Sequence, residues 1–228
     1  MDVCNNLTIK CCNIKCCNIH LYPNFKTLKE MKKFMITAAA SLMMTAAIAQ
    51  TTWKVDASHS KLGFSVTHAM VSETEGKFKV FDWQAVSKTE LDFTNAQIDF
   101  TADPASINTE DEKRDGHLKS ADFFDTEKFP EIAFKSTSMK PNTKGGKTSY
   151  ILEGDLTMHG VTKKVSLLAI GASKTVKDPW GNTKYGFKVT GTINRKDFGL
   201  AWNAALEAGG VLVSEEVKLD MNIELNKK

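Results

Sequence analysis

Beyond position 17 the chain has no cysteine. All five, Cys4, Cys11, Cys12, Cys16 and Cys17, lie at the start. The rest can form no disulfide and presents neither a thiol nucleophile nor a thiolate metal ligand. No apolar run reaches the roughly 20 residues that cross a bilayer as a helix. There is no Gly-x-Ser-x-Gly elbow to present a serine nucleophile. The histidines show no His-x-His spacing and no pair one helical turn apart, the local signatures of a zinc site. The alternation of strands with amphipathic helices that builds a parallel sheet is missing too. Net charge is small, formally +3 at pH 7 over 228 residues.

The first 49 residues differ from the rest. Lys10–Ile14 and Lys15–Ile19 both read KCCNI, a tandem copy without apolar periodicity. Paired cysteines can hold a soft metal. The competing reading is upstream sequence translated from an early start, and the segment beginning at Met31 favours it. From Met31 the chain reads MKKFMITAAASLMMTAAIAQ. Lys32 and Lys33 form a positive n-region, Phe34 to Ile48 an apolar run, and Ala47-Ile48-Ala49 a cleavage signal, the anatomy of a secretory signal peptide. The expected organisation is an upstream extension over 1–30, a signal peptide over 31–49 and one domain over 50–228, periplasmic or secreted. The leader holds six lysines against two acidic residues, which leaves 24 basic and 25 acidic side chains, net −1, in the 179 residues from Gln50. A near-neutral surface argues against nucleic acid or an anionic membrane as main partner. A domain of this length buries roughly 70% of its unfolded surface and needs no disulfide.

What is present is strand after strand. Lys61–His68 alternates, with Leu62, Phe64, Val66 and His68 on one face. A polar loop over Ser72–Gly76 leads to an apolar segment, Lys77–Val86, whose alternation slips between Val80 and Phe81 and predicts a bulge. Ala96–Ala102 alternates again, with Phe100 inward. Ile132 and Phe134 follow Pro130. Tyr150–Met158 and Val161–Gly171 are strands joined at His159-Gly160. Val165–Ala172 and Thr183–Ile193 pair as a hairpin, the latter with Tyr185, Phe187, Val189 and Ile193 on one face. Arg195–Gly210 is irregular and contains Trp202. Val217–Leu225 alternates with Val217, Leu219, Met221, Ile223 and Leu225 inward. About eight strands with one polar face each predict an all-β, eight-stranded antiparallel barrel with a short helical insertion. A two-sheet sandwich is the alternative. Such a barrel holds a packed interior or one small ligand.

The insertion is Asn108–Phe134, dense in charge and then in aromatics. Thr109 reads as an N-cap, with Glu110, Asp111 and Glu112 in the first turn of a short helix to about Lys119 and a second turn near Asp122–Lys128. Arg114 beside Asp115 has two readings: a grip on an anionic head group, or an ion pair that ties the insertion down. Arg195, beside Asp197, has the same two. Ser120 near His117 and Asp115 lacks an oxyanion hole. His59 and His159 read as turn residues and His68 as a strand end at the rim. No metal site is expected from the four histidines after Gln50, though residues distant in sequence can meet. The apolar inner faces can line a cavity for an acyl or prenyl chain, at roughly 0.8 kcal/mol gross per buried CH₂.

Several blocks carry a family resemblance. Asp56-x-x-His59-Ser60, Phe64, His68 and Gly76-x-Phe78 resemble the start of a YceI-like domain. Arg114-Asp115-x-His117-Leu118, Asp122-Phe123-Phe124-Asp125 and Phe129-Pro130-x-Ile132-x-Phe134 resemble its centre. Leu156-Thr157-x-His159-Gly160-Val161-Thr162 and Gly191-x-Ile193-Asn194-Arg195-x-Asp197-Phe198-Gly199 resemble its later part. The blocks cover Thr52–Leu225 in the family's order. Ser214-Glu215 stands where Gly-Asp is expected, which puts that local turn in question. The resemblance implies a lipocalin-like barrel, export, and an elongated apolar cavity for a polyisoprenoid or another amphiphile. It implies no catalytic residue and no cofactor, and some relatives are loosely linked with stress or high-pH responses.

The expected function is therefore a non-enzymatic carrier. Phe64, Val66, His68, Phe100, Phe134, Phe187, Val189, Trp202, Leu219 and Met221 are the expected cavity lining. Arg114, Asp115, His117 and Arg195 are the expected head-group or lid residues. The partner is a polyisoprenoid or other long-chain lipid, with no nucleic acid and no stable membrane insertion; a homodimer is compatible with the sequence. Two alternatives remain: a metal-assisted enzyme in which His68, His117 and His159 converge, and a stress module with a filled barrel. The insertion itself reads as lid and plug, docked by Phe123, Phe124 and Phe129 and locked by Arg114-Asp115.

Overall fold

The computed structural model describes residues 50–144, 148–207 and 209–228. The expectations for 1–30 and 31–49 lie outside the described residues, as does part of the stretch Pro141–Lys147, which the sequence reads as a Gly-rich hairpin loop.

Strand β1 (Thr51–Val55) and β2 (Lys61–His68) run end to end along one edge of the last strand, so that Val55 faces Leu225 and Leu62 faces Met221. Strands β3 (Ser72–Phe78) and β4 (Phe81–Ser87) return beside them, β3 on β2 and β4 on β1. Strand β5 (Gln97–Ala102) pairs with β4, and its short continuation β6 (Ile107–Asn108) pairs with β3. After helix α1 (Glu112–Lys119) come β7 (Ile132–Pro141), β8 (Ser149–Met158), β9 (Val161–Gly171), β10 (Val176–Lys177), β11 (Thr183–Asn194) and β12 (Val213–Lys227). β12 pairs with β11 from Asn226 opposite Lys184 to Glu216 opposite Asn194, and this closes the ring. With β1–β2, β3–β4 and β5–β6 each taken as one broken strand, and the two-residue β10 set aside as an addition paired only with β11, the described residues form a closed eight-stranded antiparallel barrel with one short helix. The barrel is the expected fold, and the sandwich is excluded.

Three local expectations are corrected. Ser72–Gly76 is strand, not loop. Its inward positions are Thr74 and Gly76, so apolar alternation is absent, while outward Glu73 pairs with Lys218. The slip between Val80 and Phe81 is a full break between β3 and β4, where Ser106 Oγ accepts from the backbone N–H groups of Lys79 and Val80 at 3.1 and 3.0 Å. The helix N-cap is Asp111, whose carboxylate accepts from Arg114 N at 3.0 Å. Thr109 is instead buried and hydrogen-bonded to Asp115.

The interior is filled at one end. Trp53 and Phe93 are both 0% exposed. Phe93 reaches in from the β4–β5 connection, with its ring 5.9 Å from Trp53, 4.9 Å from Tyr185 and 4.8 Å from Phe187. The polar handles of this plug are satisfied. Trp53 Nε1 donates to Ser87 Oγ at 2.9 Å, and Tyr185 donates its hydroxyl to the Ala172 carbonyl at 2.8 Å. Burial pushes the Tyr185 phenol up to about 12. Aromatic burial on this scale dominates core energetics. Phe93→Ala is therefore expected to cost about 3–5 kcal/mol in chemical denaturation. Leu91→Ala, in the same loop but half exposed, should cost under about 0.5 kcal/mol. Equal effects would show that the loop, rather than the ring, closes the barrel.

Candidate functional site

Above the plug the barrel is hollow. A mouth cavity of about 410 Å³ lies under the helical insertion and the 195–213 segment. A deeper space of about 80 Å³, walled only by apolar side chains and Gly63, continues toward Trp83 and Phe100. Phe64, Phe78, Met158, Ile193 and Leu219 line both, so the apolar wall is continuous from mouth to floor. Two glycines let rings lie flat on that wall: a Cβ on Gly76 would stand 2.3 Å from the Phe64 ring, and one on Gly154 2.4 Å from the Phe134 ring.

Of the residues expected on the lining, Phe64 and Leu219 border both spaces, Val66, His68 and Trp202 the mouth, and Phe100, Phe134 and Met221 the deep part. Phe187 and Val189 do not line the cavity. They point inward as alternation predicts, but at the height of the plug, where Phe187 packs on Phe93 and Val189 is fully buried. Alternation reports which side of the sheet a residue faces, not its level along the barrel. Lining residues the sequence reading passed over include Phe78, Met158 and Ile193, which carried the same alternation signal, and Thr74 and Lys113, which carried none.

Two knots hold the lid. In the first, Asp115 Oδ1 accepts from Thr109 N at 2.8 Å and Thr109 Oγ1 at 2.6 Å. Arg114 then donates from Nε to Thr109 Oγ1 at 2.8 Å and from Nη2 to the Thr109 carbonyl at 2.7 Å. Arg114 and Asp115 thus meet through Thr109 rather than as an ion pair. In the second, Arg195, 3% exposed, donates from Nε to the Ser214 carbonyl at 2.9 Å, from Nη1 to the carbonyls of Leu200 and Trp202, and from Nη2 to that of Val213. Arg195 makes no ion pair with Asp197; it clasps the turns of the 195–213 segment by their carbonyls. Burial draws its pKa down, against the opposing charge of Glu215. Ser214 and Glu215 sit where β12 shifts register; Ser214 Oγ accepts from Thr67 N at 3.2 Å, and Glu215 pairs with Lys196 at 2.6 Å. The aromatics dock as expected, Phe124 on Phe78 at 5.9 Å, Phe123 on Trp202 at 5.2 Å, and Phe129 on His159 at 4.5 Å.

The histidines go separate ways. His117 lies 3.2 Å from Asp122 and edge-on to Phe123 and Trp202. His159 is in the β8–β9 turn, 3.3 Å from the Phe198 carbonyl, and His68 is at the rim. Among the described residues the one grouping with three potential metal ligands is Asp56, His59 and Glu224. Lys184 occupies it: its Nζ lies 2.7 Å from both Asp56 and Glu224. The Lys184 hydrogen bond holds the Asp56 carboxyl well below the usual carboxylate range, and Asp56 in turn raises the Lys184 ammonium. A depressed carboxyl contributes stability above its unfolded pKa, ~3.9, which is lost as pH falls through the folded value; a raised ammonium contributes below ~10.4 and loses that as pH rises. Lys184→Met should therefore lower stability at neutral pH by about 1–3 kcal/mol and by progressively less below about pH 4. Urea titrations across that range check it, and a pH-independent loss would assign the effect to packing.

The chain matches the YceI-like domain over residues 53–225. It is 39% identical over 178 residues to a UPF0312 protein of Staphylococcus aureus strain N315, covering 77% of this chain and 98% of that one. The crystal structure of the Campylobacter jejuni YCEI protein is 29% identical, with a TM-score of 0.58 over 76% of this chain and 96% of that chain. A polyisoprenoid binding domain from Saccharophagus degradans shares the fold at 16% identity, TM-score 0.53, over 77% and 98% of the two chains. Matched from Trp53 to Leu225 and across nearly the whole of these relatives, the chain belongs to the YceI-like domain family.

Proposed function

We propose that the protein is an exported, non-catalytic carrier that holds the tail of a polyisoprenoid or similar long-chain amphiphile in the barrel. The observation that carries this is the continuous apolar wall, closed below by Phe93 and opening above toward Trp202 and His68. A hydrocarbon chain needs no directional contacts there. Each buried CH₂ contributes roughly 0.8 kcal/mol before the cost of ordering the chain is subtracted. The mouth volume of about 410 Å³ sits in the lower part of the ordinary pocket range, roughly 300–1,000 Å³. The same fold in Saccharophagus degradans is described as a polyisoprenoid binding domain, which supports the ligand class. Tail contacts are assigned to Phe64, Phe100, Phe134, Leu219 and Met221. Export rests on the leader that ends at Ala47-Ile48-Ala49.

Organic extraction and native mass spectrometry of freshly purified protein should recover a long-chain amphiphile. Absence of lipid, together with failure to take up a prenol, would overturn carriage. Met221→Trp, which fills the deep space, should shorten the tails recovered while the melting temperature moves by only a few degrees. N-terminal sequencing of exported protein should begin at Gln50; a start before Met31 would refute the leader.

A further inference from the structure

The rim of the mouth carries an apolar tip. In the turn between β2 and β3, Met70 is 66% exposed and Val71 86%. Val71 N donates to the His68 carbonyl at 3.1 Å, and the two residues between, Ala69 and Met70, are left-handed, with φ of 49° and 61°. A turn of this kind ordinarily takes Asn-Gly, because a residue with a bulkier side chain is strained there. Here a methionine is held against that strain and turned to water. A second excursion, over 203–213, reads NAALEAGGVLV, in which Glu207 is the one charged side chain. Ala204, Ala205 and Val211 are exposed on it. The two excursions are joined. Ala69 N donates to the Leu212 carbonyl at 2.7 Å, and Met70 lies so close over Gly210 that a Cβ there would stand 2.4 Å from its sulfur.

The tip continues the cavity wall, since His68, Leu212 and Val213 at its base line the mouth. A hydrocarbon tail that left the mouth through water would expose every CH₂ on the way. A mouth pressed into a bilayer passes it from one apolar medium to another. Charge fits as well. Lys113 and Arg114 of α1 are exposed and border the mouth, and among the described residues no aspartate or glutamate lines it, so phosphates of a lipid surface meet cations there. A protein partner is matched less well. Aromatic and arginine anchors carry most such interfaces, and neither 69–71 nor 204–212 contains one. We propose that the mouth docks on a phospholipid bilayer: Met70, Val71 and Val211 insert at the boundary of headgroups and acyl chains, while Lys113 and Arg114 face the bilayer phosphates. In a near-neutral domain insertion contributes more than charge, and a tip this small holds the surface reversibly. A part in loading or delivery rests on the carrier reading; docking itself does not.

The test adds vesicles of phosphatidylcholine, with and without phosphatidylglycerol, to the full chain in the absence of cargo. Hydrogen exchange supplies a local readout, which the test needs because the apolar run Phe34–Ile48 can itself bind lipid. Exchange should slow over 68–72 and 203–213 with phosphatidylcholine alone, and further with phosphatidylglycerol. The β10–β11 turn, at the plugged end, carries Trp180, 83% exposed, and should show no change. Full burial of a valine or methionine side chain is worth about tenfold or more in partition. Met70→Ser with Val71→Ser should therefore need at least about tenfold more lipid for the same protection of 203–213. Met70→Gly, which relieves the left-handed position, should also need more lipid while the melting temperature holds within a few degrees. Protection at Trp180 in place of the tip would overturn docking by the mouth. Protection of neither would overturn docking and leave carriage, which lipid extraction tests, standing. Protection of 68–72 that grows with protein concentration and needs no vesicles would make a second copy of the chain the occupant and overturn the bilayer.

Discussion

The pairing of β12 along its whole length is the constraint on which the other features depend. One of its edges meets β11 continuously, and the other meets β2 and then β1 end to end. Fifteen residues of strand, Val213–Lys227, thus close the ring. Closure removes the free edges that an open sheet would expose. It also sets an interior radius that eight strands can either fill with side chains or leave open for one ligand. Everything functional about the molecule depends on how that fixed interior is divided.

The division is made by connections rather than by strands. Phe93, from the β4–β5 loop, enters one end and packs with Trp53, Tyr185 and Phe187. At the other end the insertion and the 195–213 segment cover the opening without filling it. Their hold is polar. Asp115 fixes Thr109 and through it Arg114, and Arg195 gathers the carbonyls of Leu200, Trp202, Val213 and Ser214. This accounts physically for motifs of the family. Arg114-Asp115 is half of the first knot, Arg195 is the second, Gly76-x-Phe78 makes room for the Phe64 ring, and His159-Gly160 turns the β8–β9 hairpin against Phe129 and Phe198. The residues that looked like chemistry in the sequence are thus mostly fasteners.

The barrel was legible because one-sided alternation has a physical cause that survives in any single strand: one face meets the core and the other meets water. Val217–Leu225 and Tyr150–Met158 show it clearly. β3 was not legible, because Thr74 and Gly76 occupy inward positions. The cavity lining was legible in part for the same reason. Phe64, Leu219 and Met221 were identified from parity alone, whereas Phe187 and Val189 have the right parity and the wrong height. Lys113 carried no signal, since a lysine in the first turn of a polar helix reads as a solvated residue until the helix is placed over an opening.

By itself the sequence determined the eight-stranded barrel, the inward faces of the strands that alternate, the turn at His159-Gly160, the insertion and the family, all consequences of residue type and local spacing. Tertiary structure alone decided which end of the barrel is plugged, that Lys184 fills the grouping of Asp56, His59 and Glu224, and that Arg114 and Arg195 work through Thr109 and backbone carbonyls instead of neighbouring acids. Each of these depends on groups brought together from distant parts of the chain, and closure of the ring, not any local preference, sets how far apart they come to rest.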